Sequence, residues 1–165
     1  MNLPDGNTIS AAEHTMSLLS ALSRNVHEGH LGLMKGEWNR HQLVGNELKD
    51  KTIGIVGLGK IGREVMKRAL SYDMNVIGHD PFVNQEMFDP DTIKIVDIDY
   101  LTTESDFITV HVPLIDATRD LFDINRLKMM KSSSRIINVA RGGIINEKDL
   151  SVALNDGVIA GAVSY

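Results

Sequence analysis

The feature that most constrains this chain is a glycine-rich segment, residues 51–62 (KTIGIVGLGKIG). Ile53, Ile55 and Val56 predict a short buried strand, because β-branched residues are typical of such strands. After the glycines, apolar residues recur at helical spacing: Ile61, Val65, Met66, Ala69 and Leu70. The glycines therefore lie at a predicted strand-to-helix turn.

A turn of this kind can hold the pyrophosphate of a dinucleotide. Gly57 allows the tight turn, Gly59 lets a phosphate approach the backbone, and Gly62 lets helix and strand pack closely. The helix N-terminus offers unpaired N–H groups and a positive dipole end to the anion. A second predicted strand, Asn75–His79, ends at Asp80, about 20 residues beyond the glycines, where a ribose-binding carboxylate belongs. We predict a dinucleotide site; the competing interpretation is an ordinary glycine turn with a surface aspartate.

The bulk composition narrows the classes of function. The 165 residues are 42% hydrophobic and 24% charged, which suits one soluble domain with a sizeable core. A net charge of −5 without a basic block argues against a nucleic-acid partner. With no apolar run of membrane-spanning length and no leader pattern, we expect no membrane partner and a cytoplasmic location. We also expect no metal, because His27, His30 and His41 lack compact ligand spacing and the chain has no cysteine.

The first 50 residues predict a long helix followed by an irregular arm. Ser10 and Glu13 form the pattern of a capping box, so the helix is predicted from Ser10 to about residue 28. Its apolar residues cover more than one face, which suggests burial against both the core and another subunit. The glycine-rich residues 29–45 predict an irregular arm that Trp38 anchors in a groove.

From residue 52 onward, predicted strands and helices alternate, which is typical of parallel strands joined by crossover helices. Six strands are predicted, at Thr52–Val56, Asn75–His79, 93–96, 107–112, 135–139 and 158–163. Asp97 and Asp123 begin short helical segments, and Asn146 begins a helix that ends near Asn155, before Gly157. The predicted fold class is α/β, a Rossmann-type doubly wound parallel sheet preceded by the long N-terminal helix and the irregular arm.

Arg141 is the strongest candidate for a substrate contact, because ligands of open α/β sheets bind beyond the carboxyl ends of the strands. It follows a predicted buried strand and precedes Gly142 and Gly143. A guanidinium there can hold a carboxylate with two parallel hydrogen bonds. A helix-capping or surface arginine is the alternative, and position alone does not separate the two.

Several longer motifs are more specific than the glycine pattern. They are GNTISAAEHTMSLLSALSRN at residues 6–25, Trp38 and Arg40 in the arm, residues 45–48 (GNEL), DFITVHVPL at 106–114, and INVARGG at 137–143. Together they resemble the NAD-binding domain of the D-isomer-specific 2-hydroxyacid dehydrogenases, most of all the phosphoglycerate dehydrogenases. The resemblance covers nearly the whole chain.

The resemblance implies NAD as the cofactor and hydride transfer between the nicotinamide and C2 of a 2-hydroxy acid. The acid expected for this branch is 3-phosphoglycerate, and Arg141 corresponds to the catalytic arginine that binds the 2-oxo acid. A homodimer through the first helix and the arm is implied as well. The implied cofactor contacts are Lys60 and Ile61 at the pyrophosphate, Asp80 at the adenosine ribose, Val112, Pro113 and Thr118 between adenine and nicotinamide, and Val139, Ala140 and Arg141 beside the nicotinamide.

Two departures from the family pattern matter. The aspartate of the family's Gly-Ala-Ala-Leu-Asp-Val motif falls at Tyr165, which puts its contact with the nicotinamide end in doubt. The family's catalytic glutamate and histidine, and its split substrate domain, have no counterpart among these residues. We therefore expect one NAD-binding domain, with the helix and dimerisation arm at 1–50 and the Rossmann core at 51–165, that binds cofactor without turning over substrate by itself.

Three alternatives remain open on the sequence. The C-terminal-binding-protein corepressors resemble the same family and use NAD to control assembly, so a non-enzymatic NAD-sensing module is one. A 2-hydroxyacid dehydrogenase acting on glyoxylate, hydroxypyruvate or lactate is the second. A Rossmann methyltransferase is the third; Asp80 suits the ribose of S-adenosylmethionine, but the segment around Arg141 does not suit that chemistry.

Overall fold

The computed structural model describes residues 6–164, apart from the side chain of Gln42. The described residues form six α-helices and six strands. In chain order these are α1 Thr8–Ser23, α2 Val26–Met34, β1 Thr52–Val56, α3 Lys60–Ser71, β2 Asn75–His79, β3 Lys94–Ile95, α4 Ile98–Glu104, β4 Phe107–Val110, α5 Ile124–Leu127, β5 Arg135–Asn138, α6 Glu147–Asn155 and β6 Gly161–Ser164. Two 3-10 helices, Arg40–Leu43 and Gln85–Met87, lie in the connections.

All six strands are parallel, in the order β3-β2-β1-β4-β5-β6. The chain builds the sheet outward from β1 to one edge and then returns to build the other half from β4. The predicted doubly wound sheet is therefore confirmed. Its switch point lies between β1 and β4, and in such sheets this is where a crevice opens at the carboxyl ends of the strands.

The sheet separates two apolar layers. On one face α1 and α3 contribute the buried side chains of Leu19 and Val65. On the other face α4 and α5 contribute Leu101 and Leu127. All four residues of β4 are buried, which is usual for a central parallel strand covered by helices on both faces.

The N-terminal helix differs from its prediction at both ends. It begins at Thr8 with Asn7 in the N-cap position, so the capping box predicted at Ser10 is wrong. The Ser10 hydroxyl instead donates to the Asn7 carbonyl at 3.0 Å, inside the first turn. The helix ends at Ser23 because Asn25 adopts a left-handed conformation (φ +52°), which asparagine tolerates better than most residues.

The arm predicted to be irregular is partly helical, since α2 includes its first residues, 29–34. Gly29 and Gly32 do not prevent this helix; a Cβ on them would meet Leu43 and Glu37 at 3.5 and 3.7 Å, so the returning chain passes close by. The predicted burial of Trp38 is wrong for the single chain, because its side chain is 69% exposed. The arm therefore lies on the surface.

Three predicted helix starts are confirmed by side-chain caps. The carboxylates or amide oxygens of these residues accept backbone N–H bonds: Asp97 from Tyr100 (2.7 Å), Asp123 from Arg126 (2.9 Å) and Asn146 from Asp149 (3.1 Å). Gly157, with φ +65°, follows α6 as predicted. Strand β6 begins three residues later than predicted, because Val158 N–H still bonds back to the Ala153 carbonyl of α6 at 2.8 Å.

Strand β3 forms one edge of the sheet, and the side chain of Gln85 covers that edge. Its Oε1 accepts from Ile95 N–H at 2.8 Å, and its Nε2 donates to the Ile93 carbonyl at 3.0 Å. The carboxamide thus pairs with the backbone groups that an edge strand otherwise leaves open.

Candidate functional site

The glycine turn after β1 is shaped by close backbone contacts. Gly57 has φ +96°, and a Cβ there would lie 2.6 Å from the carbonyl oxygen of His111. A Cβ on Gly62 would collide with the Gly57 carbonyl. Only glycine at these two positions lets β1, β4 and α3 meet so closely.

Gly59 differs from its two neighbours, because a Cβ at this position would meet no atom within 4 Å. It is the N-cap of α3, and its carbonyl accepts the first helical bond from Arg63 N–H at 3.0 Å. The backbone at Gly59 is therefore open to a ligand. Such an opening fits a pyrophosphate that bonds to backbone N–H groups.

Asp80 is held against the glycine turn. Its Oδ2 accepts from Leu58 N–H and its Oδ1 accepts from Phe82 N–H, both at 2.9 Å. A carboxylate has about four acceptor positions, so it can still bind the two hydroxyls of a ribose. The half-buried Asp80 thus lies directly beside the glycine turn, and its contact with a ribose stays a prediction.

Arg63 supports the same loop from the other side and was not singled out from the sequence. Its Nε donates to the Leu58 carbonyl at 2.9 Å, and its guanidinium lies 4.7 Å from the centroid of the Phe88 ring. Both backbone groups of Leu58 are therefore fixed, the N–H by Asp80 and the carbonyl by Arg63. The loop is preorganised before any ligand arrives.

An open pocket of about 620 Å³ lies at the carboxyl ends of the central strands. It brings together six residues predicted to contact cofactor or substrate: Ile61, Val112, Pro113, Val139, Ala140 and Arg141. Asn7, Ala11 and Leu114 also line it, and neither Asn7 nor Ala11 was predicted to lie at the site. The first two belong to the start of α1, and only the packing of α1 on α3 brings them to the site.

Asn138 holds the turn that carries Arg141. Fully buried at the end of β5, it donates from Nδ2 to the Arg141 carbonyl at 2.8 Å and accepts at Oδ1 from Ala140 N–H at 3.0 Å. The Arg141 side chain is exposed and donates to the Ala140 carbonyl at 2.7 Å. No carboxylate of residues 6–164 pairs with the guanidinium, so its remaining donors can bind an anion. The polar Asn138 at the end of an apolar strand is the signal that could have found this role.

Six predicted contacts lie outside the pocket lining: Asp80 and the three glycines of the turn, described above, and Thr118 and Lys60. The Thr118 hydroxyl donates to the Pro113 carbonyl at 2.6 Å and accepts from Ile115 N–H at 2.9 Å, so it closes the loop after β4. Lys60 is exposed in the first turn of α3, next to the glycines. Their contacts with a cofactor stay predictions.

His111 lines the pocket, with its Nε2 2.9 Å from Oγ1 of Thr109. Burial lowers the pKa of His111 to about 4, so the imidazole is neutral at pH 7. An efficient general base has a pKa near the working pH. His111 is therefore a weak candidate for proton abstraction.

Two further findings concern the residues that the structure describes. Within residues 6–164, no group of three or more His, Asp or Glu side chains is arranged to hold a metal ion. The helices of the same range are all too short or too polar to cross a membrane.

The doubly wound sheet, the glycine turn, the adjacent carboxylate and the pocket at the switch point define a dinucleotide-binding domain of the Rossmann type. The profile of the family described as "D-isomer specific 2-hydroxyacid dehydrogenase, NAD binding domain" matches residues 16–164. The chain belongs to this family. The predictions of the family and of NAD as the cofactor are confirmed.

Known relatives share most of this chain. D-3-phosphoglycerate dehydrogenase of Methanocaldococcus jannaschii is 44% identical over 163 residues, covering 98% of this chain. The enzyme of the same name from Bacillus subtilis is 42% identical over 162 residues, again covering 98%. The chain spans about 31% of the length of each of these relatives. Among solved structures, the NAD complex of NAD-dependent formate dehydrogenase from Staphylococcus aureus is similar with a TM-score of 0.88 and 40% identity, over 94% of this chain and 47% of that one.

Proposed function

We propose that this domain holds NAD(H) for hydride exchange with a 2-hydroxy acid in a longer dehydrogenase, and that the acid is 3-phosphoglycerate. The observation that carries the proposal is the pocket in which Arg141 lies beside the apolar surface of Ile61, Val139 and Ala140. A guanidinium without a carboxylate partner among the described residues, next to a surface that suits a flat ring, fits a 2-oxo acid above a nicotinamide. The choice of acid is supported by the relatives, which are D-3-phosphoglycerate dehydrogenases.

The bound nicotinamide supplies the hydride chemistry, and the chain's own residues bind and orient. The N-terminus of α3 and the open face of Gly59 hold the pyrophosphate, and Asp80 holds the ribose hydroxyls. Arg141 holds the carboxylate of the acid through paired N–H donors, which fixes C2 in the pocket.

The proton of the substrate hydroxyl needs a base, and neither Arg141 nor His111 is suited to that role. A guanidinium only donates hydrogen bonds, so Arg141 cannot take the proton. His111, with a pKa of about 4, is too weakly basic near pH 7. We therefore expect the 165-residue chain to bind NADH without oxidising it.

The test is a pair of measurements on this chain and on the longer protein that contains it. NADH binding is followed by nicotinamide fluorescence, and NADH oxidation is followed with 3-phosphohydroxypyruvate and other 2-oxo acids. The expected result is binding by both and turnover only by the longer protein. Turnover by the short chain at the rate of the longer protein, lost in His111→Ala, would show that His111 is the base. NADH binding without turnover of any 2-oxo acid by the longer protein would favour the corepressor-like alternative.

The exposed apolar surface of the arm supports a homodimer through α1 and the arm. Large apolar side chains of α2 and the arm are exposed to water in the single chain: Val26, Leu31, Leu33, Met34, Trp38 and Val44. A soluble chain rarely leaves such side chains together in water, and a second copy of the same surface would cover them. The measurement is sedimentation equilibrium of the unmodified chain and of Trp38→Ser. A monomeric mass of the unmodified chain at micromolar concentration would overturn the proposal.

A further inference from the structure

His111 is a polar group in the pocket that the proposed hydride chemistry leaves unused. Its ring is fixed at Nε2 by Oγ1 of Thr109, 2.9 Å away, and Thr109 is fully buried in β4. Its backbone is fixed as well, since His111 N–H donates to the Val56 carbonyl at 2.7 Å. The His111 carbonyl also lies against the Gly57 turn. The imidazole therefore occupies a defined place relative to the phosphate loop.

The other ring nitrogen of His111 is Nδ1. Within residues 6–164 it has no hydrogen-bond partner, since the bond to Thr109 involves Nε2. Yet no buried side-chain nitrogen or oxygen of the described residues lacks a partner. Nδ1 is therefore accessible to solvent, and the His111 residue belongs to the lining of the pocket that Val139 and Arg141 also line.

A neutral imidazole presents either an N–H donor or a lone pair at Nδ1. The Thr109 hydroxyl can donate to Nε2 or accept from it, so the pair is satisfied in both tautomers. A ligand group that carries a donor and an acceptor side by side matches both cases. A primary carboxamide is such a group, and a nicotinamide ring carries one.

We propose that His111 positions the nicotinamide end of the cofactor by a hydrogen bond from its Nδ1 to the carboxamide, with Thr109 fixing the ring. The inference rests on the proposed NAD(H) site and adds a residue to it. Holding the carboxamide prevents the nicotinamide from turning over in the pocket, so one face of the ring is presented toward Arg141. His111 thus orients the ring and takes no part in the proton transfer.

The test compares NADH with ADP-ribose, which lacks the nicotinamide, on a set of matched variants. The amide of His111→Asn reaches the position of Nδ1, whereas that of His111→Gln reaches the position of Nε2, and His111→Phe supplies neither. A neutral hydrogen bond corresponds to about a fivefold to tenfold change in affinity, so His111→Phe and His111→Gln should weaken NADH binding by this factor. His111→Asn should stay close to the unmodified chain, and ADP-ribose should bind all four proteins equally.

Thr109→Val provides a second, nearly isosteric test, because it removes the hydroxyl and keeps the shape. We expect it to weaken NADH binding about threefold to fivefold, with no further loss when it is combined with His111→Phe. Equal NADH affinity in the unmodified chain, His111→Phe and Thr109→Val would overturn the proposal. An equal loss of NADH and ADP-ribose binding in the variants would also overturn it, because it would indicate a structural role. If the unmodified chain bound neither ligand, the NAD(H) site itself would be wrong.

Discussion

The carboxylate of Asp80, at the end of β2, accepts a hydrogen bond from the backbone N–H of Leu58 in the glycine turn at 2.9 Å. The group predicted to bind the adenosine ribose and the loop predicted to bind the pyrophosphate are thus joined before a cofactor is present. A substitution of Asp80 therefore affects the loop as well as the ribose contact, and an experiment has to separate these effects.

Asp80→Ala should weaken NADH binding and narrow the preference for NADH over NADPH. The substitution removes the charge-assisted hydrogen bonds from the carboxylate to the ribose hydroxyls, which are worth about 1.5–3 kcal/mol. It also removes the negative charge that repels a 2′-phosphate. Fluorescence titrations with both cofactors measure the change. Asp80→Asn is the matched control, because it keeps an acceptor for Leu58 N–H and removes the charge. Tighter binding of NADPH than NADH by the unmodified chain would contradict the assignment of Asp80.

Gly57→Ala and Gly59→Ala should separate folding from binding. A side chain at residue 57 is forced to a positive φ and against His111, so we expect a loss of about 2 kcal/mol or more of unfolding free energy. Gly59 has an ordinary φ of −67° and open space, so its variant should lose only about 1 kcal/mol, the usual cost of alanine at a helix N-cap. The added methyl group nevertheless occupies the approach of the pyrophosphate. Thermal unfolding and NADH titration of both variants test the contrast, and unimpaired NADH binding by Gly59→Ala would argue against pyrophosphate docking at this glycine.

Asn138→Leu should destabilise the domain by about 2–4 kcal/mol, because it leaves two backbone groups of the turn without partners. These groups are the Ala140 N–H and the Arg141 carbonyl. Urea unfolding measures the loss, which should appear as a shift of the midpoint. Asn138→Asp keeps the acceptor for the Ala140 N–H but sets a buried carboxylate against the Arg141 carbonyl, so at neutral pH it should destabilise the domain as well. Equal stability of Asn138→Leu and the unmodified chain would mean that the turn is held by other contacts.

The stability of the domain should fall on acidification in a way that depends on His111. Because the pKa of His111 is lowered from 6.5 to about 4, the unfolded chain binds this proton more readily than the folded chain. The contribution of the neutral imidazole is complete above pH 6.5 and is lost as the pH falls toward 4, by up to about 3 kcal/mol. His111→Asn should therefore lose less unfolding free energy over this window than the unmodified chain.

Comparing His111→Asn with the unmodified chain separates the effect of His111 on stability from the effects of acidic groups that titrate in a similar pH range. Hydrogen bonds with Lys67 and Arg68 lower the pKa of Glu64, and the backbone N–H of Arg126 lowers the pKa of Asp123. Stability from these carboxylates is also lost in acid, but equally in both proteins. Parallel pH profiles between 6.5 and 4 would show that His111 is not desolvated in solution.

The sheet and the glycine turn could be predicted because their signals are local. The apolar run before Gly57, the helical spacing after it and the acid at residue 80 each depend on neighbouring residues alone. The caps at Asp97 and Asn146 are local for the same reason, since one side chain bonds to a backbone group three residues away.

The N-terminal region and part of the pocket could not be predicted in this way. Gly29 and Gly32 suggested an irregular arm, but each costs a helix only about 1 kcal/mol, which packing against the returning chain can offset. The left-handed Asn25 that ends α1 has no periodic signal. Asn7 reaches the pocket only because α1 packs across α3, a contact between segments about 50 residues apart in the chain that local patterns do not encode.

The amide of Gln85 has a consequence for the behaviour of the protein in concentrated solution. Two chains that meet at exposed strand edges can join their sheets through backbone bonds, and this is a common first step of aggregation. At β3 the N–H of Ile95 and the carbonyl of Ile93 are already bonded to that amide. A single side chain therefore ends the hydrogen-bonded ladder at this edge, and these two backbone groups are not available to the strand of a second chain.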